Sequence, residues 1–153
     1  MRKKAIIGTV VLFVCLIAGG VYVVIQWFAT SHPPASEIIS FQYSTGGFGN
    51  CEMFSDYTVD LEAQVMVTKD SCWNSEGTTS TITQSQVDAV RAGFEKGGVR
   101  DWQESYINSD VMDGWGFTLN VTYKDGSTQV VHASNKFPPR WEHFEAGLKE
   151  LGI

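Results

Sequence analysis

Residues 5–29 carry no charged side chain. The run reads AIIGTVVLFVCLIAGGVYVVIQWFA, with a single amide at Gln26. A helix of that length reaches about 37 Å, enough to cross a ~30 Å hydrocarbon core with some tilt. The run therefore predicts a transmembrane helix over residues 5–29. Trp27 sits at its far end, where an indole suits the membrane–water interface. Arg2, Lys3 and Lys4 precede the run and no cationic cluster follows it. The positive-inside bias then makes residues 1–4 a cytoplasmic tip and places the chain from about residue 30 outside, in a single-pass topology. A cleavable signal peptide competes with this reading. Its apolar region normally spans about 7–15 residues before a small-x-small site. Ala29-Thr30-Ser31 offers such a site, but after an overlong run, so an uncleaved signal-anchor is preferred. Cys15 follows Phe13 and Val14, where a lipobox wants small residues, and reads as an ordinary small apolar residue.

Charge separates the two ends of the chain. Of 153 residues, 11 are Lys or Arg and 17 are Asp or Glu, for a net charge of −6. With Arg2, Lys3 and Lys4 set aside, 8 cations face all 17 acids, a net of −9 for the remainder. Such a surface excludes a nucleic-acid binder, which needs cations against phosphate. Residues 30–36 (TSHPPAS) form a polar, proline-containing linker with His32 in solvent. Residues 37–153 then form one extracytoplasmic domain.

Within it, residues 38–43 (IISFQY) have strand composition and end at a turn signal, Ser44-Thr45-Gly46-Gly47. Tyr57, Val59, Leu61, Ala63, Val65 and Val67 alternate with mostly polar residues, which reads as a hairpin turning near residues 60–62. An odd-length turn centred on residue 61 or 62 keeps both apolar sets on one face. That register brings Cys72 to within about one residue of facing Cys51, so a disulfide between Cys51 and Cys72 is expected, contributing about 3 kcal/mol in the chain-entropy model.

Residues 79–82 add a short strand. Thr83-x-x-Gln86 reads as a capping box opening a helix over residues 84–96, closed by Gly97-Gly98. Residues 113–133 alternate clearly, with Asp125-Gly126 as the hairpin signal. A two-residue turn sets Val130 and His132 opposite Val121 and Leu119. A three-residue loop with a glycine bulge sets Val131 and Ala133 opposite Leu119 and Phe117, buries more apolar surface, and is preferred. Trp141, Phe144, Leu148 and Leu151 form one helical stripe after Pro138-Pro139, with proline at the first helical turn and His143 off the stripe. The fold class expected is α+β: an antiparallel sheet of about five strands, two helices on one face, preceded by one transmembrane helix.

Candidate functional residues gather at one end of this hairpin. Asp113, Trp115, Asn135, Lys136 and Arg140 come together there, and the N-terminus of the last helix offers free N–H groups to a carboxylate or phosphate. The competing reading pairs Lys136 or Arg140 with Asp113 and lets Asn135 satisfy the loop backbone. Trp73, Trp102, Trp115 and Trp141 offer a platform for a sugar or peptide, but core packing is the stronger explanation, because Trp115 and Trp141 lie on apolar stripes. Asn108, Asp110 and Asp113-Gly114 lack the spacing and closing glutamate of a calcium loop. Gly46-Gly47-Phe48-Gly49 lacks the Lys-Ser/Thr of a phosphate loop. Scattered histidines and the missing HExxH and G-x-S-x-G motifs point to no hydrolase. No metal or cofactor is implied.

Several motifs recur as an ordered set: Ser40-Phe41-Gln42-Tyr43-Ser44-x-Gly46-Gly47, Asp113-Gly114-Trp115-x-Phe117-x-Leu119, Tyr123-x-Asp125-Gly126 and Asn135-Lys136-Phe137-Pro138-Pro139. Together they resemble a family of small bacterial secreted or membrane-tethered proteins, many of them lipoproteins. The resemblance covers about residues 37–150 and implies an extracytoplasmic domain without supplying an activity. The missing lipobox departs from the family's lipoprotein members. The resulting expectation is a non-catalytic binding or interaction module, anchored in the bilayer through residues 5–29 and engaging another membrane or cell-surface protein. The alternative is a sensor or inhibitor that binds a small anionic ligand or peptide, and an enzyme stands third.

Overall fold

The computed structural model describes residues 11–17, 20–26, 31–47, 55–70, 77–111 and 114–153. The chain divides into two units, Met1–Ser31 and His32–Ile153. In the first, β1 (Val11–Ile17) and β2 (Gly20–Gln26) pair antiparallel, with Val11 opposite Gln26. This overturns the helix expected over residues 5–29, and among the described residues no helix is long and apolar enough to cross a membrane. The residues account for the difference. Val11, Val14, Ile17, Val21, Val23, Val24 and Ile25 are β-branched and favour extended backbone, and Gly19-Gly20 interrupts the run where a helix would have to continue.

The second unit carries seven strands and two helices. In chain order these are β3 (Ile38–Gly47), β4 (Ser55–Asp60), β5 (Val65–Asp70), β6 (Thr78–Thr81), α1 (Gln84–Gly97), β7 (Ser105–Ile107), β8 (Trp115–Tyr123), β9 (Thr128–Ser134) and α2 (Trp141–Lys149). The sheet order is β6-β5-β4-β3-β8-β9-β7. Every neighbouring pair is antiparallel except β7 and β9, which run parallel. The expected sheet of five antiparallel strands is thus corrected to a mixed sheet of seven. The strand missed altogether, β7, is three residues long, too short for alternation to show. It is laid against β9 after the chain has passed from one sheet edge through α1 to the other.

The strand β3 runs through Ser44–Gly47 instead of turning there, because Gly47 pairs with Trp115. The β4–β5 hairpin also departs from expectation. Asp60 faces Val65, leaving a four-residue loop. The Asp60 carboxylate accepts the amides of Glu62 and Ala63 at 2.9 and 2.7 Å, and Leu61 folds into the core. The even loop puts Val59 opposite Met66 and turns Val65 and Val67 to the other face. The register from which the Cys51–Cys72 pair was argued is therefore not the one formed, and both cysteines lie outside the described residues.

The β8–β9 hairpin has the three-residue loop: Phe117 faces Ala133, Leu119 faces Val131, and Gly126 takes φ 80°. Thr83 caps α1 with a complete capping box, and Gly98 ends it in the left-handed conformation. The α2 helix begins at Trp141, one to two residues later than Pro139 had implied, because Arg140 stands before it at φ 59°.

Both helices pack on one face of the sheet. Phe94 of α1 meets Phe41 at 5.2 Å, and Phe144 of α2 meets Tyr43 at 6.0 Å and Phe94 at 5.0 Å. The helices approach through glycine: a Cβ on Gly93 would stand 2.9 Å from the Gly147 Cα. One amide is buried in the core. Gln129 Oε1 accepts the Tyr123 hydroxyl at 2.8 Å, and Nε2 donates to the Val99 carbonyl at 2.7 Å. Gly93→Ala is expected to lower stability by about 1–3 kcal/mol, outweighing alanine's better helix propensity, because backbone must move. Urea titration of the full chain checks this; an unchanged or raised midpoint would show that the helices separate freely.

Candidate functional site

At one end of the sheet, the start of β8 meets the loop that leaves β9. Asn135 joins them in a left-handed conformation, φ 55°. Its main-chain N–H donates to the Trp115 carbonyl at 3.0 Å, and its Oδ1 accepts the Trp115 N–H at 3.0 Å. Its Nδ2 donates to the Val111 carbonyl at 3.2 Å. Gly114 admits this amide, since a Cβ there would fall on Asn135 Oδ1. The structure thus brings Trp115 and Asn135 together, with Asn135 as the residue that positions Trp115.

Trp115 had read as core by its parity in the strand. It lies at the strand end, however, and 39% of its surface remains exposed. Its indole packs against Phe137, which is 41% exposed, at 5.6 Å, and edge-on to Trp141 at 6.4 Å. Of the other tryptophans, Trp102 is buried, its Nε1 donating to the Gly97 carbonyl at 3.0 Å and the Pro139 carbonyl at 3.2 Å. Trp141 is half-buried on Phe117 at 4.6 Å, and Trp73 lies outside the described residues. The platform therefore narrows to Trp115 with Phe137, a residue that the proline motif contained but apolar periodicity did not single out.

At the same end of the sheet is a cavity of about 360 Å³ lined by Ser44–Gly47, Gly114, Trp115, Gly116, Phe117, Thr118, Ala133 and Ser134. Gly46 faces Gly116 across the β3–β8 ladder, and Gly116 faces Ser134. A Cβ on Gly116 would stand 2.5 Å from the Ala133 carbonyl oxygen, so only glycine fits this pairing unaltered. Next to it, Thr118 Oγ1 and His132 Nδ1 are 3.1 Å apart on the face turned away from the helices. The sequence signal for this cavity was the spacing of Gly46 and Gly116 on strands whose pairing was not known.

The remaining expected site residues go elsewhere. The Arg140 guanidinium lies across Gly98 at the carboxyl end of α1, where a cation complements the helix dipole. Lys136 is exposed, and Asp113 lies outside the described residues. Asn108 Oδ1 accepts the Asp110 amide at 3.1 Å, a local turn. His143 is exposed beside Glu142. His32 is not in solvent as expected: its ring stacks on Tyr123 at 5.8 Å, with the planes 4° apart. Burial lowers its pKa below the ordinary 6.5, opposed by the carboxylates of Asp125 and Glu104.

No family model, curated protein or solved structure matches this chain. The site is therefore read from its own geometry.

Two predictions follow from that geometry. Asn135→Gly keeps the left-handed backbone but removes two side-chain hydrogen bonds, and Asn135→Ala adds strain of about 1–2 kcal/mol to the same loss. Stability in urea should therefore fall in the order wild type, Asn135→Gly, Asn135→Ala; equal midpoints would show that the amide holds nothing. For His32, the unfolded chain binds the extra proton first. Stability is full above pH 6.5 and falls as pH drops from there toward the lowered folded pKa. Denaturation midpoints of His32→Phe should lose part of this slope between pH 7.5 and 5.5, and an identical slope would remove His32 as its source.

Proposed function

We propose that the second unit is a non-catalytic binding module that engages its ligand at the end of the sheet marked by Trp115 and Phe137. One observation carries the reading. Two large aromatic side chains at this sheet end keep about two-fifths of their surface exposed, although the same aromatic cluster buries Phe117 and Phe144. Exposed aromatic residues supply apolar contact to a partner at little cost in side-chain entropy.

The setting we infer is extracytoplasmic and membrane-attached, a role for the uncharged run of residues 5–29 and the cationic tip before it. The resemblance to secreted and membrane-tethered bacterial domains points the same way. A partner in that setting is another surface molecule. The anion-sensor alternative gains no support from the cations on which it rested, since the guanidinium of Arg140 is turned onto the end of α1.

A photo-crosslinking residue placed at position 137 tests the reading in native membranes, with position 124, on the exposed β8–β9 turn, as the control. Discrete adducts from position 137 and none from 124 are expected. Equal labelling from both positions, or none from 137, would remove the sheet end as the binding surface.

A further inference from the structure

The sheet ends at β6, beyond which no described strand lies. Its ladder to β5 decides which main-chain groups are used. The Ile82 N–H donates to the Gln64 carbonyl at 2.9 Å. In an antiparallel pair, hydrogen-bonded and non-hydrogen-bonded residue pairs alternate. Counting back along the register, Ser80 with Met66 and Thr78 with Thr68 are the hydrogen-bonded pairs. Thr79 and Thr81, opposite Val67 and Val65, therefore point their N–H and C=O groups away from β5. No described residue meets these groups, and Thr78, Thr79 and Thr81 are all exposed.

Edges of this kind are ordinarily blunted by lysine, proline, a bulge or a covering segment. Apart from its shortness, β6 shows none of these among the described residues. It reads Thr-Thr-Ser-Thr, and its register with β5 is unbroken. At the opposite edge β7 is shorter still and gives way to the turn at Asn108 and Asp110.

Self-pairing satisfies the β6 edge in one register. Two copies laid antiparallel about a two-fold axis at Ser80 set Thr79 of each against Thr81 of the other. Each such pair closes two main-chain hydrogen bonds, so every outward N–H and C=O of Thr79 and Thr81 finds a partner. A slide of two residues loses this. It sets Thr81 against Gly77, which turns at φ 67°, or Thr79 against Thr83, whose N–H is already taken by Gln86 Oε1 at 2.9 Å. In the centred register threonine meets threonine across the junction. Because β6 holds no charged residue, a copy also brings no like charges face to face there.

We propose that β6 is a homotypic edge: a second copy of this chain adds its own β6 in the antiparallel register centred on Ser80, joining two sheets into one. The contact is weak and transient. A four-residue strand buries less than the ~1,200 Å² of a stable interface. The net acidity of residues 5–153 also repels a copy at long range. This surface is separate from the Trp115–Phe137 end, and neither reading rests on the other.

Amide hydrogen exchange on the full-length chain tests the proposal. As the chain is concentrated from about 10 μM to about 1 mM, exchange at Thr79 and Thr81 should slow at least about twofold, while Asp125 on the β8–β9 turn stays unchanged. Thr79→Lys with Thr81→Lys sets like charges across both pairs and should abolish the slowing. Thr79→Lys with Thr81→Glu sets opposite charges across them and should keep it. The ladder to β5 is left intact in both, since Thr78 and Ser80 make its bonds. Exchange at Thr79 and Thr81 that ignores concentration in the wild type overturns the proposal, as does the same response from both double variants.

Discussion

The contact between Gly93 and Gly147 sets the depth at which everything else packs. Two helices lying side by side on a sheet are ordinarily held 8–10 Å apart by the side chains between them. With no Cβ on either residue at the crossing, the backbones close in: a Cβ on Gly93 would also stand 3.0 Å from the His143 carbonyl. That closeness lets Phe94 and Phe144 reach each other as well as Phe41 and Tyr43 below them. From Phe144 the ring contacts continue through Trp141 at 4.9 Å to Phe117 and Phe137, and so to Trp115. The exposed pair at the sheet end is the last link of an aromatic network that starts at the helix crossing.

Trp102 and Gln129 are satisfied inside this network in ways that tie the loops to it. Trp102 donates to carbonyls on both sides of the helix pair, one at the end of α1 and one just before α2. Gln129 links the Tyr123 hydroxyl to the Val99 carbonyl, so the strand β9, the strand β8 and the loop after α1 share one hydrogen-bonded chain. Removing either partner strands buried groups, which is why such links constrain a loop more tightly than apolar contact alone. Asn135 plays the same part at the sheet end, where its main-chain N–H and side-chain oxygen occupy both main-chain groups of Trp115. Rigidity at the rim follows from that grip.

What was legible in the sequence was whatever local chemistry decides. The Thr83 capping box, the glycine stop of α1 and the bulged β8–β9 loop are each written within a few residues, and the structure has them. The stripe of Trp141, Phe144 and Leu148 was legible for the same reason. What failed depended on partners far away. Strand β7 exists because β9 offers an edge, not because three residues prefer extension. The β4–β5 register turned on Leu61 entering the core and Asp60 holding the loop, which alternation alone does not report. Residues 5–29 were read by hydropathy, and β-branched content decided the described part instead. At the site, Asn135 and Trp115 were legible as a pair, whereas Arg140 was drawn to the carboxyl end of a helix some forty positions earlier in the chain.

The charge of the chain bears on which molecules approach it most readily. Residues 5–153 carry 8 cations against 17 acids, so an approaching anion meets an opposing field before it meets any contact. At the Debye length of about 8 Å in physiological salt this acidic surface acts over the distance of a first encounter. A neutral molecule does not feel that repulsion. An acidic exterior therefore weighs against anions at the exposed Trp115–Phe137 pair.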